Sequence, residues 1–302
     1  MQGVTPEAVF EVGFPTGTLV SVDGAVWLFD WTGVTRVDPT TNQATRYPLT
    51  AANGEARPAV VAAVGFGSLW VSDFDRDQLR RYPLTGGAPS ATIDTPKPTG
   101  LLVAADALWV ANHRDGSVSR IDPTSGDIAA TVAVGKAGPR GPEWFASLGD
   151  LIWVTVANEG KVAAIDPATN KAVGSIPVDQ PAVPCGGILA RGTRLFVSSC
   201  ASAEALGVVD TATMAPVSSP AFDGHVTAPV TVGDGLWLGV VRATEGDLTA
   251  LDPETLEIGR SLAVSGGAPY SLLVSNGSLW VAIENEREQR AWLLRLPLSG
   301  LP

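Results

Sequence analysis

The chain has 302 residues, with 20 basic against 31 acidic side chains and a formal net charge of −11. An acidic balance that includes only 4 Lys beside 16 Arg disfavours nucleic acid as a partner, because phosphate binding needs a basic face. No apolar run approaches the length of a membrane-spanning helix. Residues 1–7 have neither the basic start nor the apolar stretch of a leader.

Taken in order, residues 8–14 (Ala8-Val9-Phe10-Glu11-Val12-Gly13-Phe14) read as a strand that precedes any repeat. An aromatic flanked by aliphatics then returns at Trp27, Trp70, Trp109, Trp153, Phe196, Trp237 and Trp280, in steps of 39 to 44 residues. That period, with short strands between turns, is the signature of propeller blades. The expectation is an all-β, seven-bladed β-propeller of four-stranded antiparallel blades, forming one domain over residues 1–302, because no blade buries its own apolar faces alone.

The unit around Trp109 is the clearest. Its strands are predicted at 100–104 (A), 107–112 (B), 117–122 (C) and 128–134 (D). Between C and D stands Asp122-Pro123-Thr124, and the same turn recurs at Asp38, Asp166 and Asp252, with a degraded form at Asp210. Asp at the first position and Pro at the second suit a type I turn, so these carboxylates are read as structural rather than catalytic.

Asn276-Gly277 is a two-residue hairpin signal. It sets a register in which Ser275 faces Ser278. Carried to every blade through its aromatic, that register places the other A–B turns at Asp23-Gly24, Phe66-Gly67, Ala105-Asp106, Gly149-Asp150, Gly192-Thr193 and Gly233-Asp234. The last blade has a strand C at 291–298 and no strand D of its own, so the N-terminal strand 8–14 is predicted to complete it. The six Trp are read as wedges between neighbouring sheets.

Leu-Trp-Val, then Gly-x-Val-x-x-Ile-Asp-Pro-x-Thr, then a Val-rich strand, resembles the YVTN-type bacterial β-propeller repeats and the related streptogramin (virginiamycin B) lyase superfamily. The lyase resemblance implies a magnesium ion and a histidine base at the mouth of the propeller. Glu284 matches the Glu that closes strand B of that family's last blade, while Tyr270 stands where its histidine would be. His225 in blade six is displaced from the expected position.

Strand A starts and strand B ends share one face, where ligand sites gather. Strand A openings bring Arg57, Lys97, Arg140, Glu143, Trp144, His225 and Tyr270 to it. Strand B ends and B–C loops bring Asp30, Trp31, Asp73, Phe74, Asp75, Arg76, His113, Arg114, Asn158, Arg242, Glu284 and Asn285. The binding set is expected among Arg57, Asp73, His113, Arg114, Trp144, His225, Arg242, Tyr270 and Glu284. Glu284 is the one metal candidate, for magnesium under the lyase alternative, and otherwise no cofactor is expected. His113 and His225 stand too far apart around a seven-fold ring for a shared metal.

Cys185 and Cys200 satisfy the blade-five register, so they are expected to face each other and to form a disulfide. A disulfide implies an oxidising, extracytoplasmic or secreted setting, with a cytoplasmic one as the alternative. The short lead before the first strand is expected of a trimmed mature domain. The function expected is non-catalytic binding of a small molecule, glycan or protein by a monomer. A metal-dependent lyase or hydrolase and a structural scaffold are the alternatives.

Overall fold

A computed structural model describes residues 5–31, 33–50, 61–179, 182–199, 204–218, 220–242 and 245–301. Among them, seven antiparallel sheets follow the sequence repeat one for one. In blade three, Pro98–Ala104, Ala107–Asn112, Ser117–Ile121 and Ile128–Ala133 pair in chain order. The fold is a seven-bladed β-propeller of four-stranded blades.

The register carried from Asn276-Gly277 holds in every hairpin. Val22 faces Ala25, Gly65 faces Ser68, Ala104 faces Ala107, and Leu148 faces Leu151. Arg191 likewise faces Arg194, Val232 faces Gly235, and Ser275 faces Ser278. The first turn residue has positive φ in each, from Ala105 at 48° to Gly149 at 61°. Such turns match the right-handed twist of the flanking strands, which is why Gly and Asn recur there.

The C–D turns close as expected from their Asp residues. The Oδ1 of Asp38, Asp122, Asp166, Asp210 and Asp252 each accepts the backbone N–H two residues on, at 2.7–2.9 Å. Hydroxyl bonds from Thr40 to Asp38 and from Thr169 to Asp166, and backbone N–H bonds from Ser125 to Asp122 and Thr213 to Asp210, join these in favouring the ionised form and hold the first four carboxyls below their ordinary range.

The described chain divides into two compact units. The first, Met1–Val60 with Thr85–Ala88 and Phe222–Pro302, holds blades one, six and seven. Here Ala8–Val12 pairs antiparallel with Arg290–Pro297, so the N-terminal strand completes blade seven. Blade six has a broken strand A. His225–Val226 and Val230–Val232 both pair with Gly235–Arg242, and Pro229, which has no N–H to give a ladder, stands between them. The second unit, Val61–Leu84 with Pro89–Ala221, holds blades two to five.

Within each unit the core lies between consecutive sheets. Trp70 packs with Leu108, Val110 and Ile121 of the next blade, Trp109 with Ile152 and Val154, and Trp153 with Leu195 and Val197. In the first unit Trp237 packs with Leu279 and Val281, and Trp280 with Leu19, Val26 and Leu28. All six Trp are buried. A second regularity explains the excess of Arg over Lys. Arg36, Arg81, Arg120 and Arg295 stand directly across from Trp27, Trp70, Trp109 and Trp280, with guanidiniums 5.2–5.8 Å from the ring centroids. A planar guanidinium stacks on indole as an ammonium does not.

Candidate functional site

Strand A carries a bulge near its start in several blades. The ladder slips after Pro98, Pro142, Pro184 and Pro269. Pro breaks the donor pattern, and the extra residues turn their side chains off the ladder. Those residues are Thr99 and Gly100, Glu143 and Trp144, Cys185 and Gly186, and Tyr270.

In the first unit most predicted residues are committed to packing or to local pairs. Glu284, named above as the one metal candidate, closes its strand only 7% exposed. Its Oε1 accepts both the backbone N–H and the hydroxyl of Thr16, at 2.6 and 2.5 Å. Burial raises its pKa and the Thr16 bonds pull it back. Among the described residues no group of three or more His, Cys, Asp or Glu is placed to hold an ion.

Tyr270 donates its O–H to Glu286 at 2.9 Å, and burial together with that acceptor pushes its pKa up. Arg242 lies between Asp223 and Asp247, 2.6 Å from each. Among the described residues the buried Nδ1 of His225 has no hydrogen-bond partner, and burial lowers the pKa of the ring. Asp30 is buried, pairs with Arg46 at 2.8 Å and accepts the N–H of Gly13. Glu284→Ala is expected to cost about 1–3 kcal/mol by stranding the Thr16 donors. A urea denaturation curve superimposable on wild type would show that Thr16 needs no partner.

In the second unit Asp73 is buried and paired with buried Arg80 at 2.8 Å, a structural placement. Around His113 the arrangement is different. The loop before strand A of blade four clasps this residue. Arg140 donates its N–H to His113 Nε2 at 2.9 Å, and Gly141 donates to the His113 carbonyl at 3.1 Å. Only Gly fits at 141, where a Cβ would lie 2.1 Å from that carbonyl oxygen. Because Nε2 accepts, the ring proton of the neutral imidazole sits on Nδ1. Nδ1 is 3.5 Å from Glu143 Oε1.

Both members of the pair are largely shielded, with side chains 16% and 15% exposed. Burial pushes the Glu143 carboxyl up to about 7, against a smaller pull downward from Arg140. Burial also lowers His113. The next residue, Trp144, donates its indole N–H to the Cys185 carbonyl at 2.9 Å. The Phe74 ring meets His113 edge-on at 5.6 Å and is itself exposed. The Lys97 ammonium lies 4.9 Å from the Phe74 centroid and donates to the Phe74 carbonyl. Arg114 and Arg140 are exposed beside them. Lys97 and Arg140 hold left-handed backbone at φ 50° and 58°, strain that ordinary loops shed.

Around His113 the structure thus places Glu143, Arg140 and Phe74, with Lys97 against Phe74. The recurrent Pro at the head of strand A was the sequence signal for Glu143. Arg57 lies outside the described residues. So does Cys200, and with it the Cys185–Cys200 pairing. The blade-five register runs only to Gly187 opposite Ser198, then slips to put Pro184 opposite Ser199.

No protein-family model matches the chain, and no curated protein matches it. Solved structures do. A chain in the crystal structure of the mitotic checkpoint complex superimposes with a TM-score of 0.76 at 12% identity, covering 97% of this chain and 92% of that one. U3-55K gives 0.75 at 12% identity, covering 97% and 100%. BamB from Moraxella catarrhalis gives 0.67 at 13% identity, also covering 97% and 100%. At these identities the likeness is one of fold. Among the described residues no helix is long and apolar enough to cross a membrane, which says nothing of a β-barrel.

Proposed function

We propose that the chain is a non-catalytic binding propeller of the YVTN-like type, with its ligand face at the strand A and B–C loop end of blades two to four. One observation carries the reading. Glu143 is a largely shielded carboxyl, 15% exposed and 3.5 Å from the His113 imidazole, and burial pushes it up to about 7. Asp30, Asp73 and Glu284, by contrast, are each tied to a structural partner. Exposed Phe74, Arg114 and Arg140 around Glu143 supply the aromatic and charged contacts that recognition uses. The similar fold found in the mitotic checkpoint complex favours a protein among the ligand classes.

The lyase alternative rested on Glu284, and the commitment of that carboxylate to Thr16 weighs against it. A peptide and glycan array, run beside a magnesium-supplemented turnover assay on a streptogramin, separates the readings. Binding that Phe74→Ala and Arg114→Glu reduce at least several-fold, without turnover, is expected. Magnesium-dependent turnover would make the protein an enzyme. The Cys185–Cys200 bridge and an extracytoplasmic setting belong to the same proposal, and two alkylatable thiols in air-exposed protein would remove both.

A further inference from the structure

We propose that the open cleft between the outer strands of blades six and seven is a second binding site, which takes an extended peptide segment with apolar side chains at alternate positions as an added strand on blade six. The cleft lies within the first unit and does not depend on the face around His113.

Its volume is 520 Å³, within the range of about 300–1,000 Å³ that ligand clefts have. Leu262 and Val264 of blade six form one wall, and Val9, Trp292 and Leu294 of blade seven form the other. Its apolar character is written in the sequence. Three residues after the blade aromatic, blades one to three place Asp30, Asp73 and Asn112, whereas blade seven places Ile283, directly opposite Trp292. Val9 is 54% exposed and Trp292 half-buried, so this apolar surface is open to solvent.

Three observations select the occupant. The first is charge. None of the thirteen residues that line the cleft is ionisable. Arg290, whose guanidinium lies 5.0 Å from the Trp292 centroid, is paired with Glu11, and Arg295 is paired with Glu7, so the bordering charges are closed in pairs. A charged group entering here would lose its water and gain no partner, so what enters is neutral and apolar.

The second is an open strand edge in the wall itself. Ile258–Val264 is the terminal strand of its sheet, and among the described residues Leu262–Val264 pairs on one side only, with Gly246–Leu248. Backbone donors and acceptors therefore run along the cleft, and a ligand with a main chain bonds to them where a hydrocarbon does not. The third is the strand period. In a strand laid along this edge, every second side chain projects on the same face as Leu262 and Val264. That is the face on which both pack towards Ile283 and Leu294. Anchors two residues apart thus enter the cleft together. A second copy of the chain is set aside on size, since thirteen residues fall short of the about 20–30 a side that a stable interface uses.

Fluorescence anisotropy with a labelled, capped heptapeptide of alternating Ser and Leu tests the assignment on the wild-type protein. Saturable binding is expected, weakened about tenfold or more when the same residues are reordered with the Leu consecutive. In such a strand the Leu N–H groups all lie along one edge and the Ser N–H groups along the other. Methylating the nitrogens of one set is therefore expected to abolish binding, and methylating those of the other to leave it within about twofold. Val9→Glu, at an exposed position on the rim, should weaken binding about tenfold or more without lowering the melting temperature. No saturable binding, equal affinity for the reordered peptide, or both methylated peptides binding as the parent does, overturns the peptide assignment. Unchanged affinity in Val9→Glu overturns the location. A protein that dimerises alone in sedimentation and is made monomeric by Val9→Glu would give the cleft to a second copy, which also overturns it. The peptide comparisons are made on the wild-type protein, so a variant that fails to fold does not spare the inference.

Discussion

Deleting residues 1–14 is expected to lower the melting temperature by roughly 10 °C or more and to make the protein self-associate. Ala8–Val12 forms the fourth strand of blade seven, paired residue by residue with Arg295 through Ala291. Phe10 stacks on Trp280 with ring centroids 6.2 Å apart, in the core shared with Leu19, Val26 and Leu28 of blade one. Losing this half-buried aromatic with the rest of the strand costs about 3 kcal/mol or more, and each kcal/mol is worth about 2–4 °C in a large domain. The ion pairs of Glu11 with Arg290 and of Glu7 with Arg295 add little at their exposure. The truncation also leaves the ladder of Arg290–Pro297 unpaired, and an open edge recruits another chain. Calorimetry with light scattering reads both effects. A truncated chain that melts as wild type and stays dispersed would show that the strand is dispensable.

Trp109→Ala is expected to cost about 3–5 kcal/mol in chemical denaturation. The indole is fully buried between blades three and four, against Val118, Ile152 and Val154. Its N–H donates to the Ala104 carbonyl at 3.1 Å, so removal also strands an acceptor at the hairpin. Arg120, 5.8 Å from its centroid, loses its stacking surface. Arg120→Lys on the intact ring should cost less than about 1 kcal/mol, separating the stack from the wedge. A Trp109→Ala loss no larger than that of Arg120→Lys would mean that the ring does not hold neighbouring blades together.

Much of this architecture could be read from residues alone, because propeller blades repeat their local chemistry. Asn276-Gly277 set a register that Ala104 and Ala107 obey without any Gly in their turn. The unmatched strand at Ala8 identified its own partner by the missing fourth strand near Pro297. Counting along the ladder failed where a residue was inserted. The ladder slips between Pro184 and Gly187, and no spacing rule sees an insertion. The burial of Glu284 was hidden from the sequence for another reason. Its partner Thr16 is 268 residues away in sequence, and only the packing of blade one on blade seven turns a strand-end carboxylate into a buried one. Glu143 stood among nineteen residues of that face until the bulge and the Arg140 clasp put it against His113.

The account turns on Glu143 being a carboxyl kept at a cost to the fold, and the stability of Glu143→Gln against pH tests that most directly. A group whose folded pKa is raised above its unfolded value contributes stability that is fully present below the unfolded pKa and is lost as pH rises through the folded one. For Glu143 that window runs from 4.5 to about 7. Glutamine does not titrate, so the variant is expected to match wild type near pH 4. Near pH 8 it should exceed wild type by roughly 2–3 kcal/mol. A variant equally stable as wild type at both pH values, or less stable at pH 8, would show that Glu143 is an ordinary solvated carboxylate, and the case for a functional face around it would fail.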